Sequence, residues 1–382
     1  MSELIDPVKL DRLAQVAVNV GLNLQPGQDL ILTGSVDSLP LVRKIAEHAY
    51  KAGAGQVVPI LSDDQITLAR FRHARDDSFD VASGWLFDGM AAAYDKGAAR
   101  LAVVGGDPML LSNEDPTKVA RANKAMAMAY TPARERITRF ATNWTLVAWP
   151  DRAWAQLVFP DLDADAAQSA LAEAIFAASR VNDADAVANW AAHNARLSER
   201  AAWLDGQNFA ALHFTGPGTD LTVGLADGHK WLAGATETHR HRLQPEHPDR
   251  GRFTTPHALK VGGACGRVQT PSHQGHADRG NRRALSKAAR SPRLARKPGR
   301  MCCARCSIPM RARRLGEVAL VPHRLADLRP PGLLFYNTLF DENVASHIAL
   351  GQCYATCFHG GDKLSAIIKA KAATAARSIS TG

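Results

Sequence analysis

The sequence predicts an α/β amino-terminal domain, a parallel sheet with flanking helices, followed by a second α+β domain that is partly disrupted. Three observations carry this reading. From Asp6 to Ala148, β-rich and helical runs alternate, as they do in a parallel sheet covered on both faces. A long amphipathic run, Asp183–Leu204, then leads out of that unit. Beyond it, short β-rich runs are interrupted by a basic block with no apolar periodicity.

Asp6-Pro7 opens the first helix, an N-cap followed by proline at the first position. Leu10, Leu13, Ala14, Ala17 and Val20 follow at helical spacing, and Gly21 ends the run. After the Pro26-Gly27 turn, Asp29–Thr33 reads as a strand. Ser38–Ala52 reads as a helix closed by Gly53, and Gln56–Leu61 as a strand. A helix around Trp85–Gly97 precedes the strand Arg100–Val104, which meets Gly105-Gly106-Asp107-Pro108. A helix near Asp115–Tyr130 and the strand Asn143–Ala148 complete the alternation. There is no G-x-G-x-x-G and no Walker loop, so the glycine pair turns the chain at a strand end and does not mark a nucleotide site.

Asp161–Arg180 is Ala-rich and helical. In Asp183–Leu204, Val187, Trp190, Ala191, Asn194, Leu197 and Leu204 fall on one stripe, which predicts a long helix bridging to the second domain. Ala210–Phe214 and Leu221–Leu225 flank Gly216-Pro217-Gly218 and read as a β-hairpin. The chain has 382 residues, 46% of them apolar, enough for two domains. We place them at 1–205 and 206–358, with an aberrant tail at 359–382.

The start, Met1–Leu10, lacks the basic and apolar regions of a signal peptide, and no run approaches the about 18 apolar residues of a membrane span. Six cysteines, four of them in the unpatterned block, do not form a disulfide scaffold. The expectation is a cytoplasmic protein with no membrane partner.

The net charge of +9 hides an asymmetry. Residues 239–314 hold 19 Lys or Arg against three acids, and the rest of the chain is acidic. The part of this block from 239 to 311 has too few large apolar residues to offset its ordering entropy. Its Arg-, Ala-, Cys- and Pro-heavy composition is what a GC-rich coding sequence yields in a shifted frame. In-frame islands remain at Phe253–Val261 and Ser272–Gly275. The same explanation applies to Arg324–Pro331 and to the end of the chain from about Ile367. The competing explanation is a genuine basic insertion that binds nucleic acid through phosphate neutralisation. Against it, the block has no aromatic residue beyond Phe253 for base stacking, and its cysteines and histidines stand at no zinc-site interval. A third reading is a non-catalytic α/β scaffold.

The chemistry concentrates in Gly316–Cys357. Glu317–Val321 is a short β-rich run bounded by Gly316 and Pro322. Asp341-Glu342-Asn343 resembles a cap, and the apolar run Val344–Tyr354 after it predicts a helix. On such a helix His347 and Tyr354, seven residues apart, share one face. A strand carboxylate, an imidazole and a phenol would then converge as a metal site with an oxyanion donor beside it. Taken one at a time, the three residues read as a solvated Glu, a hydrogen-bonded core His and a core Tyr, and spacing alone favours that simpler reading.

The strings RRLGEVALVP, LLFYNTLFDENVASHIALGQCY, FTGPGTDLTVGLADGHKWLAG and FTTPH, with LAQVAVNVGLNLQPGQDLIL near the start, resemble the thermophilic metalloprotease family of aminopeptidases. The resemblance implies a metal-dependent enzyme that removes residues from peptides with a free amino terminus and forms a homodimer. It implies two divalent ions per site, with Glu317 and His347 as metal ligands and Tyr354 as a catalytic residue. It also implies an acidic ligand just before the Phe-Thr run, where this chain has Arg250, Gly251 and Arg252. A His-x-Asp pair near the carboxyl terminus is implied as well, but no His or Asp follows Asp362. His247-Pro248-Asp249 and His276-Ala277-Asp278 match that pattern only inside the unpatterned blocks. The expectation is therefore a metallo-aminopeptidase lineage with part of its metal site missing and Arg cations set against the site, a loss that would leave this chain inactive.

Overall fold

The computed structural model describes residues 4–216, 219–234, 236–237, 242–243, 251–265, 283–285, 315–322, 333–350 and 353–361. Most of the basic block, Arg324–Pro331 and the tail beyond Gly361 lie outside them, and with them lie the readings made for those segments.

The first unit is the predicted parallel sheet. Strands β1 (Leu30–Ser35), β2 (Val57–Ser62), β3 (Ala99–Val104) and β4 (Trp144–Ala148) lie in the order β2-β1-β3-β4, every pair parallel. Alternate residues face opposite sides. Leu30, Leu32, Leu101, Val103 and Val147 enter one core, together with α1 (Pro7–Val16), α2 (Leu39–Lys51), α7 (Arg152–Val158) and α8 (Ala164–Ala178). Ile31 and Trp144 enter a second core with Met90 and Tyr94 of α4 (Gly84–Asp95) and Ile137 of α6 (Thr131–Thr138). Helices α3 (Asp64–His73) and α5 (Pro116–Ala129) complete the layers.

The first helix stops differently from the sequence reading. After Val16 it widens into a π turn, Ala17–Leu22, with Gly21 buried inside, and Asn23 in the left-handed region (φ 49°) ends it. Gly21 carries no positive φ, and Asn is the other residue that tolerates that region.

Helix α9 (Ala186–Gln207) has 22 residues and is roughly 33 Å long. Ala186 and Trp190 sit in the first core, whereas Leu197, Ala201 and Leu204 sit in a third core belonging to the β-rich second unit. That unit holds the predicted hairpin, β5 (Ala211–Gly216) with β6 (Thr219–Leu225). It also holds β7 (Leu232–Ala233), a two-stranded ribbon of β8 (Thr236–Glu237) and β9 (Arg242–Leu243), β10 (Arg252–Thr254), β11 (Pro256–Cys265), β12 (Arg283–Leu285) and β13 (Leu315–Leu320). Two antiparallel sheets result, ordered β12-β11-β6-β5 and β14-β13-β10-β7, where β14 is His347–Leu350.

The chain from Leu333 to Asp341 returns to the first unit. Phe335, Leu339 and Phe340 are buried in its core, and Trp154 Nε1 donates to the Phe335 carbonyl. The helix expected over Val344–Tyr354 is not formed. The helix here is α10 (Thr338–Asp341), capped by Asn337, and a 3-10 turn over Glu342–Val344 follows it. His347 lies on strand β14, and Tyr354 is extended ahead of a 3-10 turn at Ala355–Cys357. The free edge of β13 offers a backbone partner that local propensity does not anticipate.

Candidate metal centre

The register of the β14-β13-β10-β7 sheet decides which side chains meet. Phe253 lies opposite Ala319 on one side and Leu232 on the other, and Ala319 lies opposite His347. Glu317 lies opposite Ala349. Paired residues share a face, and residues two apart on a strand share a face. Leu232, Phe253, Glu317, Ala319, His347 and Ala349 therefore line one side. Ala233, Arg252, Thr254, Val318, Leu320 and Ile348 line the other, where Ala233, Val318, Leu320 and Ile348 join the third core.

A bulge sets Glu317 on the outer side. Leu315 pairs with Leu350 and Glu317 with Ala349, so two residues of β13 oppose one of β14. The extra residue resets the alternation. Leu315 is thereby buried in the core, and Glu317 emerges on the opposite face beside His347.

The glutamate and the histidine meet. His347 Nε2 lies 3.4 Å from Glu317 Oε1, with the two side chains 23% and 22% exposed. His347 Nδ1 lies 3.0 Å from the Ala345 carbonyl. A carbonyl only accepts, so Nδ1 carries the proton and donates, which leaves the Nε2 lone pair turned towards the carboxylate. Two lone-pair donors held face to face need a positive charge between them, either a proton or a metal ion. A histidine oriented through its second nitrogen by a backbone carbonyl is the usual support of a metal-bound imidazole.

Tyr354 reaches the same face by a route other than helical spacing. Its ring centroid lies 6.0 Å from Phe253 and 5.6 Å from Phe140 of the first unit. Phe253 shares the cross-strand row of His347, so aromatic packing, rather than a common helix, brings the tyrosine beside the pair.

Cys357, which the sequence reading passed over, is buried and close enough to Glu317 to sense its charge. Burial first, and then that carboxylate, push its thiol well above the usual range. At neutral pH it is a protonated, poorly ligating wall. No sequence signal marked it, because its place depends on the turn at Tyr354.

Arg252 corrects another expectation. It is buried, at 6% exposure, but on the core side of the sheet, opposite Leu320 and away from the face of Glu317. No arginine cation from position 252 is set against the pair. Arg250, His247, Asp249, His276 and Asp278 lie outside the described residues.

Among the described residues no group of three or more His, Cys, Asp or Glu could hold a metal ion. Glu317 and His347 supply two donors, which suit one side of a single divalent ion. A pair of ions about 3.5–4 Å apart needs about five. The described donor set therefore fits one ion and falls short of two.

A family profile described as thermophilic metalloprotease matches residues 7–380. The chain belongs to that family. It is similar to aminopeptidase T of Thermus thermophilus, 44% identical over 354 residues that cover 92% of this chain and 86% of the relative. It is also similar to aminopeptidase 2 of Geobacillus stearothermophilus, 37% identical over 358 residues covering 94% and 86%. Among solved structures it resembles wild-type AmpT from Thermus thermophilus with a TM-score of 0.83 and 42% identity, covering 93% of this chain and 88% of that one. The geometry of the Glu317–His347 pair accommodates either a shared proton or a metal ion. Among the described residues no helix is long and apolar enough to cross a membrane.

Proposed function

We propose that the chain is a metal-dependent aminopeptidase that hydrolyses the amino-terminal bond of peptides, with Glu317 and His347 as ligands of a divalent cation and Tyr354 as a catalytic residue. The single observation that carries this is the 3.4 Å approach of His347 Nε2 to Glu317 Oε1, with Nδ1 already committed to a carbonyl. A bound divalent ion would polarise the scissile carbonyl and acidify water. Glu317 and His347 orient toward the same point, the carboxylate offering charge and the imidazole a neutral nitrogen. Phe253 and Phe140 pack against the ring of Tyr354 and hold its position. Its hydroxyl is the donor for a developing oxyanion.

The aminopeptidase names of the relatives support the substrate class: a peptide with a free amino terminus. By the same likeness the chain works as a homodimer. Cys353 and Cys357, both free thiols, accord with a reducing, cytoplasmic setting. The test is release of an anilide from an aminoacyl anilide by the purified chain with added Zn²⁺, Co²⁺ or Mg²⁺. Turnover that a chelator abolishes and added cation restores is expected. Turnover indifferent to the chelator would contradict the proposal.

A further inference from the structure

The second core of the first unit encloses three polar atoms that it does not satisfy. Ile31, Arg100 and Trp144 stand opposite one another on β1, β3 and β4. Their side chains leave the same face of the sheet, each about 5 Å from the next. Ile31 and Trp144 pack there with Tyr94 of α4. Burial raises the Tyr94 phenol, and the Arg100 charge works against that rise, which puts the guanidinium close to the ring. Tyr94 is 2% exposed and Trp144 6%. Tyr94 Oη, Arg100 Nε and Trp144 Nε1 are each shut off from solvent, with no hydrogen-bond partner among the described residues.

Native interiors rarely leave such groups without a partner, and what these three lack is one-sided. The Arg100 Nε–H and the Trp144 Nε1–H can only donate, and the phenol, protonated at neutral pH, can donate as well. Among the described residues no carboxylate pairs with Arg100, and Asp95, next to Tyr94, is held by Arg136. A water could accept from two of the donors. It would bring two protons of its own, with only the phenol oxygen to receive one, and it would leave the guanidinium charge uncompensated. An anion accepts from all three and neutralises Arg100. Arg100 is half-buried, so its side chain marks the route from solvent.

We infer that Arg100, Trp144 and Tyr94 form a binding site for a small monovalent anion, a halide or formate, beneath α4 at the amino end of the parallel sheet. The site stands apart from Glu317 and His347 and does not depend on the metal-centre reading. Its occupancy stabilises the native chain by mass action.

The experiment is thermal unfolding of the full chain at neutral pH and fixed ionic strength, with chloride or formate replacing the bulkier gluconate. It compares wild type, Tyr94→Phe and Arg100→Met, and the chloride NMR line width reads halide binding directly. The wild-type melting temperature is expected to climb with chloride or formate. Tyr94→Phe should match or exceed the wild type in gluconate, where it removes an unsatisfied hydroxyl, and fall below it in chloride. Its chloride affinity should be about tenfold weaker, the scale of one hydrogen bond to a charged group. Arg100→Met should lose the response and the line broadening. A wild-type melting temperature identical in the three salts would overturn the inference. So would a response of wild-type size in both variants, the mark of an adventitious ion only. A Tyr94→Phe difference of the same size in every salt would point to a buried water and overturn it as well. Should Arg100→Met fail to fold, the comparison of Tyr94→Phe with wild type still decides.

Discussion

Glu317 and His347 lie 30 positions apart in the chain and 3.4 Å apart in space, and the proposed chemistry rests on that contact. Glu317→Gln keeps the shape and removes the charge. It is expected to lower cation affinity by about two orders of magnitude, measured by equilibrium dialysis, with little change in melting temperature because the side chain is partly exposed. Tyr354→Phe retains the ring contacts to Phe140 and Phe253. It should leave stability unaltered and reduce kcat by about 10²-fold, the cost of one oxyanion donor; an unchanged kcat would remove Tyr354 from the chemistry.

A separate residue-scale prediction concerns the carboxyl ends of the parallel strands. Burial, and then neighbouring carboxylates, raise the acids of Asp37 and Asp64 above the ordinary carboxylate range. The native state then holds these protons more tightly than the unfolded state, so their charged forms cost stability, and that cost grows as pH rises through the window above about 4. Asp64→Asn should therefore raise the melting temperature slightly at pH 7. The gain should vanish near pH 3, where both states are protonated; a gain of equal size at both pH values would contradict the account.

At the scale of elements, some of the fold was legible in the sequence and some was not. Strands β1 to β4 and helices α2, α4, α5, α8 and α9 fall where alternating apolar runs and capping residues place them, because their signals are local. The segment containing His347 was not legible. Asp341 looks like a helix cap, but its carboxylate turns back to accept from Phe335 N at 2.9 Å and Asn337 N at 3.1 Å, closing a turn. Cap chemistry is used one turn earlier, where Asn337 accepts from Leu339 N at 3.0 Å. The chain beyond is then captured by β13, a pairing between residues about 30 apart that no short window contains. The bulge that sets Glu317 outward is invisible for the same reason. The contact between Glu317 and His347 was expected, but by way of a helix; a strand delivers it.

The return segment is an element with a measurable role. Trp154 is fully buried, packs at a tilt against Phe340 with 6.0 Å between centroids, and donates to the Phe335 carbonyl. Trp154→Ala removes that side chain and the hydrogen bond, and should cost about 3–5 kcal/mol in urea unfolding. It should also loosen the path to β14, so cation affinity falls together with stability. A large loss of stability with full cation affinity would show that the return segment does not position the site.

Across the whole molecule, α9 is shared by two cores, and the stretch from Leu333 to Asp341 of the β-rich unit is buried in the other. Tyr354 packs on Phe140 from the first unit and on Phe253 from the second, so the candidate centre stands where the two units meet. The basic block between 239 and 314 departs from the acidic remainder in charge and pattern. The metalloprotease likeness nonetheless runs on both sides of it, with the family profile extending to residue 380. The catalytic reading therefore rests on β13 and β14, and takes from the block only β10 with Phe253, which stands in its in-frame island.

The most direct measurement is anilide release as a function of added Co²⁺, in the wild-type chain and in Glu317→Gln. The account predicts saturable, chelator-sensitive turnover in the wild type that rises with cation concentration, and turnover lower by about 10²-fold in Glu317→Gln at the same concentrations. Equal turnover in the two proteins, or turnover that persists in excess chelator, would contradict it.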